Sequence, residues 1–276
     1  MRLMIMTDLE GVAGVINFND YTGFDSRYYE LAKRLLTQEV NAAIEGFIAG
    51  GITEFFVVDG HGPGAINPEL LHDRAELFRG HFTPIFPWGL DRDIDALAFI
   101  GQHARAGTPN SHLTHTQSCY ALEFTANDFP IGEYGQLALC AKELGIPTIF
   151  ASGEQALCEE AEELTPGVVT VAVKRGVSPD DGYPELTGPE YRQKKTSAIH
   201  LSPVTARRRI TAGAKEAASR FVNDPDSFGY MPLEAPWTLT RQMRRTEPGA
   251  PLPERTVATD PVSFIGAQNK LFGQKV

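Results

Sequence analysis

Blocks of consecutive apolar residues separate polar stretches along this chain, and three of the blocks end in side chains that bind metals. The ends are Asp8 and Glu10 after residues 2–7, Asp59 and His61 after residues 54–58, and His103 after residues 96–101. An uninterrupted apolar run of this length is typical of a buried strand. Because open α/β folds place their active sites at the carboxyl ends of strands, we expect these side chains to share one rim of a sheet.

Helical periodicity fills the intervals between the predicted strands. Apolar positions recur on one face from about residue 25 to residue 49, and this helix joins the first two strands into a βαβ unit. Further helices are predicted at 133–144, 153–164 and 203–222, and further strands at 147–151 and 168–173. The pattern therefore predicts an α/β protein with a mainly parallel central sheet and flanking helices.

Three segments lack such a clear period. Residues 75–95 are ambiguous, residues 118–131 indicate a hairpin, and residues 177–195 indicate an inserted surface loop. This loop is a candidate for an interface or a substrate entrance, and a plain solvated loop is an equal alternative.

The C-terminal part of the chain changes character. We expect residues 1–222 to form a metal-binding catalytic α/β domain. Residues 223–276 combine a strand at 237–241, a proline-rich turn and a last helix. They are expected to form a smaller C-terminal α+β extension packed on the same domain.

The composition is that of an ordinary globular protein, with 42% hydrophobic and 22% charged residues. A net charge of −10 argues against binding to nucleic acid or to an anionic membrane surface. No stretch approaches the ~18 apolar residues of a spanning helix, and acidic residues follow the first strand too soon for a signal peptide. Three cysteines without a CxxC spacing fit a reducing compartment, so we expect a cytoplasmic location.

The side chains at the predicted rim form a ligand set for divalent metals, rich enough for two ions. Asp8 and Glu10 are two residues apart, so extended backbone places both carboxylates on one face, although a turn cap and a solvated glutamate remain alternatives. His61 lies between two glycines in a tight turn, and Asp59 is a candidate to orient it. Glu133 begins a predicted helix, where a carboxylate also has a favourable dipole contact.

A polar stretch at 102–117 holds three of the seven histidines. Beyond His103, either His112 or His115 is a candidate general acid, base or nucleophile. Arg105 is a candidate for binding an oxyanion or a carboxylate, and equally for a surface ion pair. Cys119 follows closely, so a metal-free cysteine hydrolase stays open as an alternative.

Seven collinear motifs give the sequence a resemblance to a known family. They are TDLEG at 7–11, DGHG at 59–62, GQHARAGTP at 101–109, a histidine at 115, NDFPIGEYG at 127–135, EEAEELTPGVVTVAVKRG at 159–176 and LSPVTARRRI at 201–210. The chain resembles the zinc-dependent D-aminopeptidases of the dipeptide-transport-operon (DppA-like) type, from residue 1 to about residue 222 and more loosely beyond. The family often carries serine where this chain has Gly60.

The resemblance implies a binuclear zinc aminopeptidase that acts on short peptides with an N-terminal D-residue. It implies two Zn²⁺ ions per subunit, with Asp8 bridging them and the ligand sets completed by Glu10, His61, His103 and Glu133. His115 matches the catalytic residue of the family, beside a metal-activated water. It also implies assembly into a ring of ten subunits. A binuclear metal hydrolase of another small amide or cell-wall-derived peptide, and a non-catalytic peptide-binding ring protein, stay open as alternatives.

Overall fold

The structure is a computed structural model that describes residues 1–91 and 93–274. The strands are β1 (Arg2–Thr7), β2 (Glu54–Asp59), β3 (Ala75–Phe78), β4 (Ala96–Gln102), β5 (Ala121–Ala126), β6 (Phe129–Pro130), β7 (Thr148–Glu154), β8 (Val169–Gly176), β9 (Ala198–His200), β10 (Trp237–Met243) and β11 (Thr256–Asp260). The helices are α1 (Phe18–Tyr21), α2 (Tyr29–Gly50), α3 (Glu133–Leu144), α4 (Gln155–Leu164), α5 (Gly188–Lys194), α6 (Pro203–Asn223) and α7 (Phe264–Leu271).

Seven strands form the central sheet in the order β3-β2-β1-β4-β7-β8-β9. All neighbouring strands run parallel except β8 and β9, which are antiparallel. Every residue of β4 is buried, as expected of a parallel strand covered on both faces. The predicted α/β fold with a mainly parallel sheet is thereby confirmed.

Helices cover both faces of this sheet because neighbouring side chains of a strand point to opposite sides. On β1, Leu3 and Ile5 pack into a core shared with α2 and α6. Met4 and Met6 pack into a second core shared with α3, α4 and α7. The described helices include none that is both long and apolar enough to cross a lipid bilayer.

A second, antiparallel sheet has the strand order β11-β10-β5-β6. The hairpin predicted at 118–131 is present as β5 and β6. Strand β10 pairs with β5, and the hydroxyl oxygens of Thr125 and Thr240 lie 2.7 Å apart across the pair. Strands from the predicted extension thus complete a sheet begun by the N-terminal part, and the domain boundary at residue 222 stays a prediction.

Two of the aperiodic segments contain more structure than the sequence indicated. The ambiguous segment 75–95 supplies β3, a short strand at the edge of the central sheet. The segment 177–195 contains α5 and ends in a buried ion pair, in which Lys195 Nζ lies 2.7 Å from Asp180 Oδ1. Both side chains are 0% exposed, so this segment is fixed to the protein and is not simply a surface loop.

Candidate metal centre

The carboxyl ends of β1, β2 and β4 meet at the point where the strand order reverses, which is the usual ligand site of an open α/β sheet. The loop after β1 packs directly on β4, with the Gly11 amide donating to the Gly101 carbonyl at 2.7 Å. A Cβ atom on Gly11 would lie 2.0 Å from the Gln102 carbonyl oxygen. Only glycine therefore allows this close approach, which sets Asp8 and Glu10 beside the end of β4.

Asp8 lies between two histidines at the centre of this rim. Its Oδ1 is 3.2 Å from His61 Nδ1, and its Oδ2 is 3.1 Å from His103 Nε2. Glu10 Oε2 is 3.1 Å from the same nitrogen of His61. Gln102, which the sequence did not single out, donates its side-chain amide to Asp8 Oδ2 at 3.2 Å and so fixes the carboxylate plane.

Glu133 and His115 close the other side of the centre. Glu133 Oε1 is 3.6 Å from His103 Nε2 and 3.7 Å from His115 Nε2, and the two imidazole rings stack with centroids 4.1 Å apart. The backbone amide of Gln117 donates to Glu133 Oε1 at 2.6 Å. Candidate ligand atoms within 4.8 Å of one another therefore form two groups that share His103: one adds Asp8 and Glu10, and the other adds His115 and Glu133.

All three histidines of the centre are oriented in the same way. One ring nitrogen of each lies within hydrogen-bond distance of a backbone carbonyl oxygen. The distances are 2.8 Å from His61 Nε2 to Thr22, 2.9 Å from His103 Nδ1 to Ala104 and 3.1 Å from His115 Nδ1 to Leu113. A carbonyl only accepts, so that nitrogen carries the proton. The second nitrogen of each neutral ring then turns a lone pair towards the carboxylates, as in histidines that bind metals.

Lone pairs facing carboxylates need a cation or an added proton between them. Within the described chain, the buried atoms Glu10 Oε2 and His103 Nε2 have no hydrogen bond of acceptable geometry. Leaving such buried polar atoms without partners is costly, and three carboxylates lie close together here. Imidazole nitrogens and carboxylate oxygens are ligands of Zn²⁺, so the residues present fit the metal that the sequence implied.

The pKa shifts of the centre also indicate that it lacks positive charge. Burial alone would raise the pKa of Asp8, but the facing His103 and His61 hold it well below its usual value. Burial would lower the pKa of both histidines, yet Glu10 and Asp8 raise the pKa of His61 well above normal, and Glu133 and Asp8 raise that of His103 to about 10. His115 differs, because burial and the neighbouring charge of His103 lower its pKa.

The turn that carries His61 is held by residues around it. The Asp59 carboxylate accepts the backbone amides of Ala65 and Ile66, at 2.9 and 3.2 Å, so it shapes the loop. The Arg79 guanidinium donates to the carbonyls of Asp59 at 3.0 Å and of His61 at 2.8 Å. Arg79 lies in the ambiguous segment 75–95, where no local pattern in the sequence indicated this role.

Two of the candidate supporting residues lie elsewhere. Arg105 pairs with Glu160, its backbone amide 2.9 Å and its guanidinium 3.7 Å from Glu160 Oε2. His112 bonds to the Ile16 carbonyl at 3.0 Å and stands edge-on to His200. Burial and the nearby charge of Lys174 lower the pKa of His112 to about 2. The structure thus brings together the five predicted ligands and His115, but not Arg105 or His112.

Three polar residues, of which Glu39 and Lys174 are buried, hold the loop after β1 from behind; we call Glu39, Lys174 and His200 the loop anchor. Lys174 Nζ donates to the carbonyls of Glu10 and Val15, the latter at 3.1 Å. The amide of Ala13 donates to Glu39 Oε1 at 3.0 Å, and the amide of Gly14 donates to His200 Nδ1 at 3.2 Å. Three distant elements, α2, β8 and β9, therefore fix the backbone that presents Glu10.

A cleft of about 830 Å³ opens over the metal centre. Besides the ligands, residues of the segments 18–24, 117–120 and 188–192 line it. Cys119 is among them, but burial raises the pKa of its thiol to about 12. Because the thiolate is the reactive form, this cysteine is a poor nucleophile at neutral pH.

The fold of this chain is shared with a zinc-dependent peptidase of known structure. That protein, described as "Zn-dependent D-aminopeptidase DppA from Bacillus subtilis, a self-compartmentalizing protease", superimposes with a TM-score of 0.81 and 26% identity over 99% of this chain and 96% of its own. A D-aminopeptidase of Bacillus subtilis (strain 168) is 36% identical over 182 residues, which are 64% of this chain and 65% of that protein. Residues 1–250 match the family Peptidase M55, described as D-aminopeptidase. The chain belongs to this peptidase family, which confirms the resemblance carried by the motifs.

Proposed function

We propose that the protein is a binuclear zinc aminopeptidase that releases N-terminal D-amino acids from short peptides. The observation that carries the proposal is the common orientation of His61, His103 and His115. In each, one ring N–H donates to a backbone carbonyl and the second nitrogen faces the carboxylates. The relatives described as D-aminopeptidases support the choice of substrate.

The position of Asp8 supports a shared ligand. Its two oxygens face different histidines, so two cations bound beside His61 and His103 would have this carboxylate in common. Glu10 and Glu133 complete the sets on the two sides. When bound, zinc would supply a Lewis acid that polarises the scissile carbonyl and lowers the pKa of water.

His115 is proposed to accept a proton from the attacking water at Nε2 and then to pass that proton to the leaving amine. Its lowered pKa keeps the imidazole neutral at pH 7, and the Leu113 carbonyl holds its Nδ1 proton. Nε2 is therefore the free basic atom, and it points to the Glu133 side of the centre. A positioned base of this kind accelerates hydrolysis by roughly 10²–10⁴-fold.

We further propose that the chain assembles with copies of itself, as a ring of ten subunits. The similar structure is a self-compartmentalizing protease. Light scattering coupled to size-exclusion chromatography tests this, and a monomer at micromolar concentration would contradict it.

The function is tested by elemental analysis of the purified protein, with D-Ala-D-Ala and L-Ala-L-Ala hydrolysis assayed on the same sample. We expect about two zinc ions per chain, release of D-alanine only, loss of activity with a chelator and recovery with added zinc. Zinc with L-selective hydrolysis would refute the substrate class while keeping the centre. A chain without metal or activity would refute both.

A further inference from the structure

The cleft over the metal centre has an uneven distribution of charge. Its inner end carries the carboxylates of Asp8, Glu10 and Glu133, and Arg192 is the one lysine or arginine among the described residues that line it. A short peptide is a zwitterion at neutral pH, with an ammonium group at one end and a carboxylate at the other. Because the three carboxylates are the proposed zinc ligands, Arg192 is the charge that remains in the cleft for the substrate, and it is complementary to the carboxylate end of such a molecule.

The guanidinium of Arg192 has no protein partner for its charge. Among the described residues no carboxylate lies within ion-pair distance of it, and its buried Nε donates to no acceptor. Its guanidinium carbon instead lies over the Phe18 ring, 5.2 Å from the centroid. A buried guanidinium donor without an acceptor is costly, and a planar guanidinium binds a carboxylate through two parallel hydrogen bonds.

Arg192 and His115 both contact the ring of Phe18, so the two residues lie near each other. The Phe18 and His115 rings have centroids 5.6 Å apart. The two contacts together set an upper limit on the distance from the guanidinium carbon to His115. An extended peptide advances ~3.5 Å per residue, so a peptide of up to about three residues reaches across the longest distance that this limit allows.

The segment that carries Arg192 is held rigidly on both sides. Tyr191 is 0% exposed, and its hydroxyl lies 2.9 Å from Thr114 Oγ1 and 3.2 Å from the amide of Gly107. Lys195 forms the buried ion pair with Asp180. A side chain fixed by its neighbours loses less conformational entropy when it binds a ligand.

We propose that Arg192 binds the free C-terminal carboxylate of di- and tripeptide substrates and thereby restricts the enzyme to short peptides. The inference rests on the proposed peptidase function. It gives the 177–195 segment the role of a substrate entrance. It also assigns to Arg192 the carboxylate binding for which the sequence had offered Arg105.

The test compares each peptide acid with its C-terminal amide. For D-Ala-D-Ala and D-Ala-D-Ala-D-Ala, kcat/KM of the wild type should favour the acid by ~10-fold or more, mainly through KM. In Arg192→Met, kcat/KM for the acid should fall to the value for the amide. For the amide, kcat/KM should stay within about 2-fold of its wild-type value. Lys194→Met is the matched control, because it removes the same charge from an exposed position of the same helix.

Two results would overturn the proposal. One is a wild type that hydrolyses acid and amide equally well. The other is an Arg192→Met variant whose kcat/KM falls equally for the acid and the amide. That result is expected if Arg192 supports the fold or contacts a neighbouring subunit. If the wild type hydrolyses no peptide, the peptidase function fails first. Calorimetric titration of the zinc-loaded protein then decides this inference: Arg192-dependent preference for the acid supports it, and equal binding of acid and amide refutes it.

Discussion

The metal centre and the loop anchor lie on opposite sides of the loop after β1, and histidine behaves in opposite ways in them. Among the carboxylates of the metal centre, the pKa of His103 is raised to about 10. Behind the loop, burial and the charge of Lys174 lower the pKa of His200 to about 4. The metal centre is short of positive charge, whereas the loop anchor already contains its own cation. A histidine therefore belongs to a ligand site on one side of this loop and to a structural support on the other.

Asp8→Asn is the strongest way to break the metal centre. Asp8 lies between His61 and His103. The substitution keeps the size of the side chain but removes its charge and one ligand oxygen. Zinc content should fall well below the wild-type value, with kcat/KM down by more than ~100-fold. Elemental analysis and a D-Ala-D-Ala assay measure both. Asp128→Asn, at the exposed hairpin turn, is the control, and full zinc retention in Asp8→Asn would contradict the shared-ligand role.

His115→Ala separates catalysis from metal binding within the same centre. If His115 transfers protons, kcat should fall by roughly 10²–10⁴-fold while the zinc content stays unchanged. Loss of zinc together with activity would instead make His115 a ligand beside Glu133. Unchanged turnover would remove it from the mechanism.

His112→Asn is the matched control for this experiment. His112 lies three residues away in the same polar stretch but bonds to Ile16, behind the loop. We expect activity within a few-fold of wild type and a loss of roughly 1 kcal/mol of stability from the hydrogen bond. Thermal unfolding measures the latter.

Lys174→Met tests whether the loop anchor acts on the metal centre through the backbone. The variant removes the donor to the Glu10 and Val15 carbonyls while keeping an apolar chain of similar length. Zinc affinity should fall by ~10–100-fold, the size usual for a group that positions a ligand. Competition with a chelator of known affinity measures it. Lys215→Met on the exposed face of α6 should change nothing; an equal loss there would show a general charge effect.

Glu39→Gln is the mildest change and reports on the anchor alone. Burial raises the pKa of Glu39 to about 8, from about 4.5 in the unfolded chain. Between these values the folded protein binds more protons than the unfolded one, so this group lowers stability as pH rises from about 4.5 to 8. Between pH 4.5 and 8 the Tm of the zinc-saturated wild type should fall further than the Tm of Glu39→Gln. Each kcal/mol of unfolding free energy lost corresponds to roughly 2–4 °C in Tm. Parallel Tm curves would contradict it.

The sequence predicted the rim because the apolar strands and the residues that follow them are local patterns. It left His112 and His115 as alternatives, since both lie in one stretch without a period. Their separation depends on contacts with Ile16 and Glu133, which are far away in the sequence. A residue such as Arg79 was missed for the same reason, because its carbonyl acceptors come from the end of β2.

The remaining gaps in the prediction also arise from long-range contacts. The pairing of β10 with β5 joins strands whose amino-acid patterns are compatible with many partners. The 177–195 segment reads as polar and solvated, yet the Lys195–Asp180 pair is fully buried because each charge neutralises the other. Burial of a paired charge leaves no hydrophobic signal in the sequence, and this is why the rigid support of Arg192 was not predicted.

The antiparallel sheet has a consequence for the order in which the protein is made. Thr125 and Thr240, which face each other across β5 and β10, are 115 residues apart. At the ~5–20 residues per second of ribosomal elongation, the hairpin leading into Glu133 waits many seconds for its partner strand. During that time β5 presents a free edge to other nascent chains. The hairpin that leads into Glu133 thus gains its partner strand only after β10 has been translated, which is later than all five proposed ligands.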